Sequence, residues 1–373
     1  MRIPSLAGAF AFLSVSTLQA VEPTQAEMTQ ARDWATAKFQ SEASAGDQKT
    51  PPQGLYGGEP PFSFSYGGRK SGELLSGWKQ ERTSRKTDGN AVEHVVTYTD
   101  AATGLSVRWV GLEFADFPVV EWVVYFKNTG AADTPIIENI QAMDCGLPLR
   151  RRQTARVHYA NGSDCRLDDF APQVTPLGPD QDNPQGRMLG EGNPLRLESK
   201  GGRSSCGTLP FFNMDMGSSG VIGAVGWTGD WAASFYRTDN ELRARAGMRR
   251  THLKLLPGEE IRSPRMMLLF WEGERIRGQN LLRRFILAHH TPMVNGKPAR
   301  TPVSFATWGA TSPRNTFNMR NGGRTTASRW TFCGWTPVGS ETMRPRRGRT
   351  FSTAVGRATW GIGTRIRGIS RTG

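Results

Sequence analysis

The sequence predicts a mainly β protein, organised as a large two-sheet sandwich. Two observations carry this. Between residues 62 and 274, short segments rich in Val, Ile, Phe, Tyr and Trp recur at close spacing, separated by Gly, Asn, Asp and Pro turns, the pattern of many short strands in a sandwich. That stretch is over 200 residues long, enough to bury a sizeable core.

Each element has its own signal. Residues 25–39 place Ala31, Trp34, Ala35 and Phe39 at helical spacing, predicting an opening helix. A Gly/Pro/Ser-rich connection follows over residues 41–61. Phe62-Ser-Phe-Ser-Tyr66 alternates strictly and stops at Gly67-Gly68. His94-Val-Val-Thr-Tyr-Thr99 and Leu105-Ser-Val-Arg-Trp-Val110 flank Asp100-Ala-Ala-Thr-Gly104, which predicts a hairpin. Val119-Val-Glu-Trp-Val-Val-Tyr-Phe126 ends at Lys127-Asn-Thr-Gly130. Further strands are expected at 136–143, 155–159, 221–227, 232–236, 251–256 and 266–271. From Glu272 to His290 the period changes. Leu281, Leu282, Phe285, Ile286 and Ala288 form one apolar face opposite Arg283 and Arg284, predicting an amphipathic helix. Pro302-Val-Ser-Phe-Ala-Thr-Trp308 reads as a short buried strand. Nothing periodic follows it.

The net charge of +14 suggests a nucleic-acid partner until it is located. Residues 314–373 hold 12 Arg and 1 Glu, with no Lys or Asp, which leaves only +3 on residues 1–313. A nucleic-acid binder carries its basic residues on a folded face with a recognisable motif. Here the excess is Arg in a segment that has 10 Gly and no Leu, His, Gln or Tyr, so no nucleic-acid partner is expected. The start of the chain reads as a signal peptide, residues 1–20. Arg2 is the charged start, an apolar stretch runs from Ile3 to Leu18, and Ala20 precedes the cleavage point. Export to the periplasm or the extracellular space is expected. No segment qualifies as a membrane span. The cysteines Cys145, Cys165, Cys206 and Cys333 show no metal-type spacing, and an exported chain has the option of pairing two of the first three. No metal or cofactor site is legible.

Several segments, in order, resemble glycoside hydrolase family 36, the melibiase or α-galactosidase family. They are Phe62-Ser-Phe-Ser-Tyr-Gly-Gly68; Glu73-Leu-Leu75 with Trp78-Lys79; Asp116-Phe-Pro-Val-Val-Glu-Trp122 with Tyr125-Phe-Lys-Asn-Thr-Gly130; and Ile137-Glu-Asn-Ile-Gln141. Leu209-Pro-Phe-Phe-Asn213, Ile222-Gly-Ala-Val-Gly-Trp-Thr-Gly-Asp-Trp231, Leu281-Leu-Arg-Arg-Phe285 and Ala306-Thr-Trp-Gly309 complete the series. The resemblance spans residues 25–313. It implies an N-terminal β-supersandwich of galactose-mutarotase-like type (25–274, with the initial helix). A linking helix and the first strand of a (β/α)₈ barrel would follow (275–313). It also implies hydrolysis of terminal α-galactosides with retention, an α-galactoside as the partner, and room for a homo-oligomer.

Residues 314–373 are expected to be a disordered tail, because ordering a residue costs about 1–2 kcal/mol of backbone entropy and this segment offers little apolar area to offset it. Their codons suggest an origin. Joining the last base of each codon to the first two of the next, Trp330–Thr331 forces Asp, Phe332–Cys333 forces Leu, Cys333–Gly334 allows Trp and Trp335–Thr336 forces Asp. One permitted reading, Val-Asp-Val-Leu-Trp-Met-Asp-Ala-Gly-Trp-Phe, resembles the family's second barrel strand. A one-base frameshift near Pro313, which would truncate the barrel, is therefore expected. A genuine Arg/Gly-rich disordered tail is the competing reading.

Retaining glycosidases need two carboxyls, one as nucleophile and one as acid/base. In the family both are Asp on later barrel strands, so no residue here takes a catalytic role. Asp164, Asp168 and Asp169 read as a solvated loop. The candidate substrate-binding residues are Trp78, Trp227, Asp230 and Trp231. Aromatic faces stack on sugar C–H surfaces and carboxylates accept from hydroxyls; the resemblance puts the 227–231 turn near the barrel mouth. For the tryptophans the competing role is sandwich core. His289-His290 are expected to cap the linking helix. The functional alternative is a non-catalytic β-sandwich that binds carbohydrate or mediates assembly.

Overall fold

A computed structural model describes residues 20–40, 56–87, 89–150, 153–179, 185–299, 304–307 and 332–335. Helix α1 (Gln25–Ala35) opens it and runs on into a π turn, Thr36–Gln40. The Thr24 hydroxyl accepts from the Glu27 amide at 3.2 Å, and the Glu27 carboxylate accepts from the Thr24 amide at 2.7 Å. This reciprocal capping box satisfies two otherwise orphaned donors.

Strands β1 (Ser63–Tyr66) and β2 (Arg69–Lys70) form a hairpin. Gly67 and Gly68 between them sit at φ 55° and 79°, the left-handed values a two-residue primed turn requires. Helix α2 (Ser71–Leu74) and a 3₁₀ turn (Leu75–Gly77) lead to β3 (Lys79–Lys86). Then β4 (Ala91–Thr99), β5 (Leu105–Phe114) and β6 (Val119–Asn128) make a meander. Gly104 closes the β4–β5 turn at φ 79°, and a Cβ there would lie 2.5 Å from the Gly130 amide nitrogen. The chain continues through β7 (Ile137–Pro148), β8 (Arg156–Ala160), β9 (Pro172–Pro176), β10 (Leu195–Lys200) and β11 (Arg203–Gly207). It then adds β12 (Phe211–Asp215), β13 (Ser219–Gly226), β14 (Trp231–Arg237) and β15 (Glu241–Met248). Short β16 (His252–Leu253) and β17 (Glu260–Arg262) precede β18 (Arg265–Glu272). Helix α3 (Arg275–Phe285) follows and ends in a π turn, Ile286–His290.

Among the described residues these strands form two large antiparallel sheets. One has eight strands, in the order β11-β10-β14-β15-β7-β1-β2 with β16 on β7. The other has ten, in the order β3-β4-β5-β6-β18-β13-β12-β8-β9 with β17 on β6. The mainly β two-sheet sandwich expected from the sequence is present. Its core interleaves Val107, Trp109, Trp122, Val124 and Phe126 of the ten-stranded sheet with Leu147, Phe235, Leu242 and Ala244 of the eight-stranded one. Trp34 of α1 stacks on Trp122 with ring centroids 5.2 Å apart. Strand β6 is buried at six successive positions, because α3 covers the other face of its sheet. Leu281, Leu282 and Phe285 pack there on Phe114, Phe117, Val119, Leu269 and Trp271.

The expected strand at 251–256 shrinks to His252–Leu253. Beyond it the backbone of Leu255 bonds both the hydroxyl and the amide of Thr134 instead of continuing the ladder. Residues 1–19, with most of the expected signal peptide, and residues 41–55 of the expected connection lie outside the described residues.

Residues 293–373 form a separate unit. In it β19 (Met293–Val294) and β20 (Lys297–Pro298) make a hairpin. Strand β21 (Ser304–Thr307) falls within the strand expected at 302–308 and pairs in parallel with β22 (Phe332–Trp335). Strand β22 lies inside the segment expected to be unfolded, and at these four residues the expectation does not hold. The remainder of 314–373 is outside the described residues.

Candidate functional site

The four candidate sugar-contacting residues do not converge. Trp231 has 0% exposure. Its indole nitrogen donates to the Ser204 carbonyl at 2.8 Å, and its amide donates to the Ser199 hydroxyl at 3.0 Å. It is a core residue with no face free for a ligand, which corrects the sequence expectation. It begins β14, where alternation directs residue 231 inward with Ala233 and Phe235. Asp230 is partly exposed, but its carboxylate accepts from the Ser199 hydroxyl at 2.9 Å and lies 3.6 Å from Arg249. Trp227 is half-buried, with the Arg262 guanidinium 5.4 Å from its ring centroid. Trp78 is half-buried against Phe64 and Tyr66. Trp78 precedes β3 and Trp227 follows β13, five strand spacings away in the same sheet, about 24 Å. No single sugar ring touches both.

The structure instead shows a cleft of about 1630 Å³ whose floor is the outer face of the eight-stranded sheet. Asp144 of β7 sits at its base, only 8% exposed. It accepts from the Ser63 hydroxyl at 2.7 Å, from Arg243 Nε at 2.8 Å and from Arg245 Nε at 3.2 Å. Burial alone would lower the two guanidinium pKa values. The Asp144 charge and hydrogen bonds outweigh it and raise them above the ordinary arginine value. Arg245 also lies over the Tyr236 ring, 5.5 Å from its centroid, and reaches Glu191 at 3.1 Å. The signal for this cluster was in the sequence. Leu242-Arg-Ala-Arg-Ala246 is a period-2 segment that puts both arginines on one face and the apolar residues on the other.

Elsewhere, residues read as a solvated loop or as helix caps have structural partners. Asp169 accepts from the Asp164 and Cys165 amides and the Ser163 hydroxyl. These hydrogen bonds, the Asp164 amide first, hold its carboxyl below the usual range and tie off an exposed loop. His289 and His290 were expected to act on the helix end through their charge. They meet carboxylates instead: His289 Nε2 lies 3.0 Å from Asp116, and His290 Nε2 lies 2.6 Å from Glu121. Cys145, Cys165 and Cys206 carry free thiols. Among the described residues, no group of three or more His, Cys, Asp or Glu is arranged to hold a metal ion, and no helix is long and apolar enough to cross a membrane.

No protein-family profile matches the sequence, and no curated protein matches it. Solved structures do. The GH36 α-galactosidase AgaB from Geobacillus stearothermophilus is 14% identical with a TM-score of 0.52, over 72% of this chain and 38% of its own. The α-galactosidase from Lactobacillus brevis is 14% identical with a TM-score of 0.51, over 76% and 38%. A variant of AgaA from Geobacillus stearothermophilus in complex with stachyose is 14% identical with a TM-score of 0.52, over 86% and 44%. The fold is that of part of a GH36 α-galactosidase. The chain spans about two fifths of the length of these structures, and at this identity the likeness concerns the fold.

Proposed function

We propose that this chain is the sandwich and barrel-opening part of an exported, retaining α-galactosidase-type glycoside hydrolase of family 36, read out of frame after about Pro313. The observation that carries the reading is the two-sheet sandwich with its covering helix α3, a fold shared with the α-galactosidases above. Strand β21, within the stretch 302–308 read as the first strand of a (β/α)₈ barrel, supports it. The codons of residues 330–336, shifted by one base, force Asp across Trp330–Thr331, Leu across Phe332–Cys333 and Asp across Trp335–Thr336.

On this reading the parent enzyme cleaves terminal α-galactosides through a nucleophilic carboxylate and an acid/base carboxyl, about 5–5.5 Å apart in retaining enzymes. Both would come from later barrel strands, so the 373-residue chain does not turn over substrate. The shift is either a sequencing error or a lesion in the gene itself. Determining the base sequence across codons 305–320 tests the frame. One base gained or lost there supports the reading, and an unshifted read with the same downstream residues refutes it. The second reading, a non-catalytic carbohydrate-binding sandwich, is favoured by the polar cleft over Asp144.

A further inference from the structure

We propose that the cleft on the outer face of the eight-stranded sheet binds an anionic saccharide, a carbohydrate chain bearing carboxylate or sulfate groups. The proposal rests on reading the protein as carbohydrate-active, and it concerns a site built wholly from residues of the sandwich domain.

Strand register builds the site. Arg196 of β10 pairs with Ser234 of β14, Ser234 with Arg245 of β15, and Arg245 with Asp144 of β7, forming one row across four strands. Arg196 and Arg245 therefore flank Ser234 at two strand spacings, about 10 Å. The small residue between them leaves room for a group held from both sides. In the neighbouring row Tyr236 pairs with Arg243. Asp144 fixes Arg243 and Arg245 through their Nε atoms, so two planar guanidinium groups are set in place before any ligand arrives. Guanidinium forks match the paired oxygens of carboxylate and of other oxyanions.

Charge and size narrow the ligand. Six Lys and Arg line the cleft against four Asp and Glu. Arg249 is paired with Glu198 at 3.3 Å, whereas the Arg196 side chain makes no hydrogen bond or ion pair among the described residues. The volume, about 1630 Å³, exceeds the roughly 300–1,000 Å³ of a small-molecule pocket, so an extended chain fits better than a lone anion. Ser65, Ser234, Asn139 and Gln141 offer hydroxyl and amide partners along it, as a polyhydroxylated ligand requires. A solvated outer sheet face would account for scattered surface charge. It would not account for an arginine pair fastened by a nearly buried aspartate.

Isothermal titration of the 373-residue chain tests this with four probes: an oligogalacturonate, a sulfated galactan oligosaccharide, neutral stachyose and inorganic sulfate. At least one anionic oligosaccharide is expected to bind at least tenfold more tightly than stachyose and than sulfate, and to weaken as salt is raised. Which one binds distinguishes carboxylate from sulfate. Arg196→Ala, at an exposed and unpartnered position, is expected to keep the thermal midpoint and lose about tenfold in affinity. Ser234→Trp, which fills the floor between the arginines, is expected to abolish binding. Equal binding of stachyose or inorganic sulfate, no binding of either anionic chain, or unchanged affinity in Arg196→Ala with the midpoint retained would each overturn the proposal. Galactose release by a frame-restored gene is a separate readout. Failure here leaves the hydrolase reading standing, and failure there leaves this one.

Discussion

Glu27 and Arg277 stand 250 residues apart in the chain and form a two-point ion pair, Nε to Oε1 at 2.8 Å and Nη2 to Oε2 at 2.9 Å. The pair joins α1 to α3. The Glu27 carboxylate, with 0% exposure, also accepts from the amides of Thr24 and Glu272. Burial alone would raise its pKa. The Arg277 hydrogen bond, the two amides and the Arg277 charge outweigh it and hold it below the ordinary 4.5.

Removing one partner of such a pair leaves an uncompensated charge in a desolvated place. Glu27→Ala is expected to destabilise the protein by about 3 kcal/mol, read as a shift in the urea midpoint at pH 7. Because the folded pKa is depressed, the Glu27 contribution is complete above about pH 4.5 and is lost as pH falls through the lower folded value. The stability of Glu27→Ala is expected to vary less with pH over that acidic range. A variant as stable as the parent would show that the pair contributes nothing net.

Gly278 separates two effects of opposite sign. In a helix interior Ala is favoured over Gly by about 1 kcal/mol. A Cβ at 278 would sit 2.7 Å from Cγ and Cδ1 of the fully buried Trp271, and overpacking of this kind costs about 1–3 kcal/mol. Gly278→Ala is therefore expected to lower the thermal midpoint. A raised midpoint would mean that α3 lifts off the sheet at little cost.

The core assignment of Trp231 predicts a stability effect. Trp231→Ala opens a cavity and strands the Ser204 carbonyl, at an expected cost of about 4 kcal/mol. The urea midpoint at pH 7 measures it. A loss under 1 kcal/mol would return Trp231 to the list of ligand-contacting residues.

The thiols should differ sharply in reactivity. Burial pushes the Cys145 thiol up to about 12, and Cys206 is also buried while Cys165 is exposed. Timed alkylation with peptide mapping is expected to label Cys165 in the folded protein, and Cys145 and Cys206 only after unfolding. Rapid labelling of Cys145 in the folded protein would contradict its burial on β7, beside Ala244 of β15.

Much of the architecture was legible because one face of each element is apolar. Leu105, Val107 and Trp109 alternate inward along β5, and Leu281, Leu282 and Phe285 mark the packed side of α3. Strand β3 was not legible. Lys79-Gln-Glu-Arg-Thr-Ser-Arg-Lys86 has no apolar residue, as suits an edge strand guarded by charge. Strand β15 was missed because its inward residues include two alanines, Ala244 and Ala246, too small to signal burial. The site was the least legible part. Trp231 carried the residue type expected of a sugar contact but lies in the core. Asp144, Arg245 and Arg196 come from three separate stretches of sequence, and only the pairing of β10, β14, β15 and β7 brings them into one row, with Arg243 in the next.

The most direct measurement is galactose release from a chromogenic α-galactoside by two purified products, the 373-residue chain and the chain expressed after restoring one base near codon 313. The account predicts turnover with retention by the restored product and none above background by the 373-residue chain. Turnover by the 373-residue chain, or its absence from a folded restored product, would contradict it.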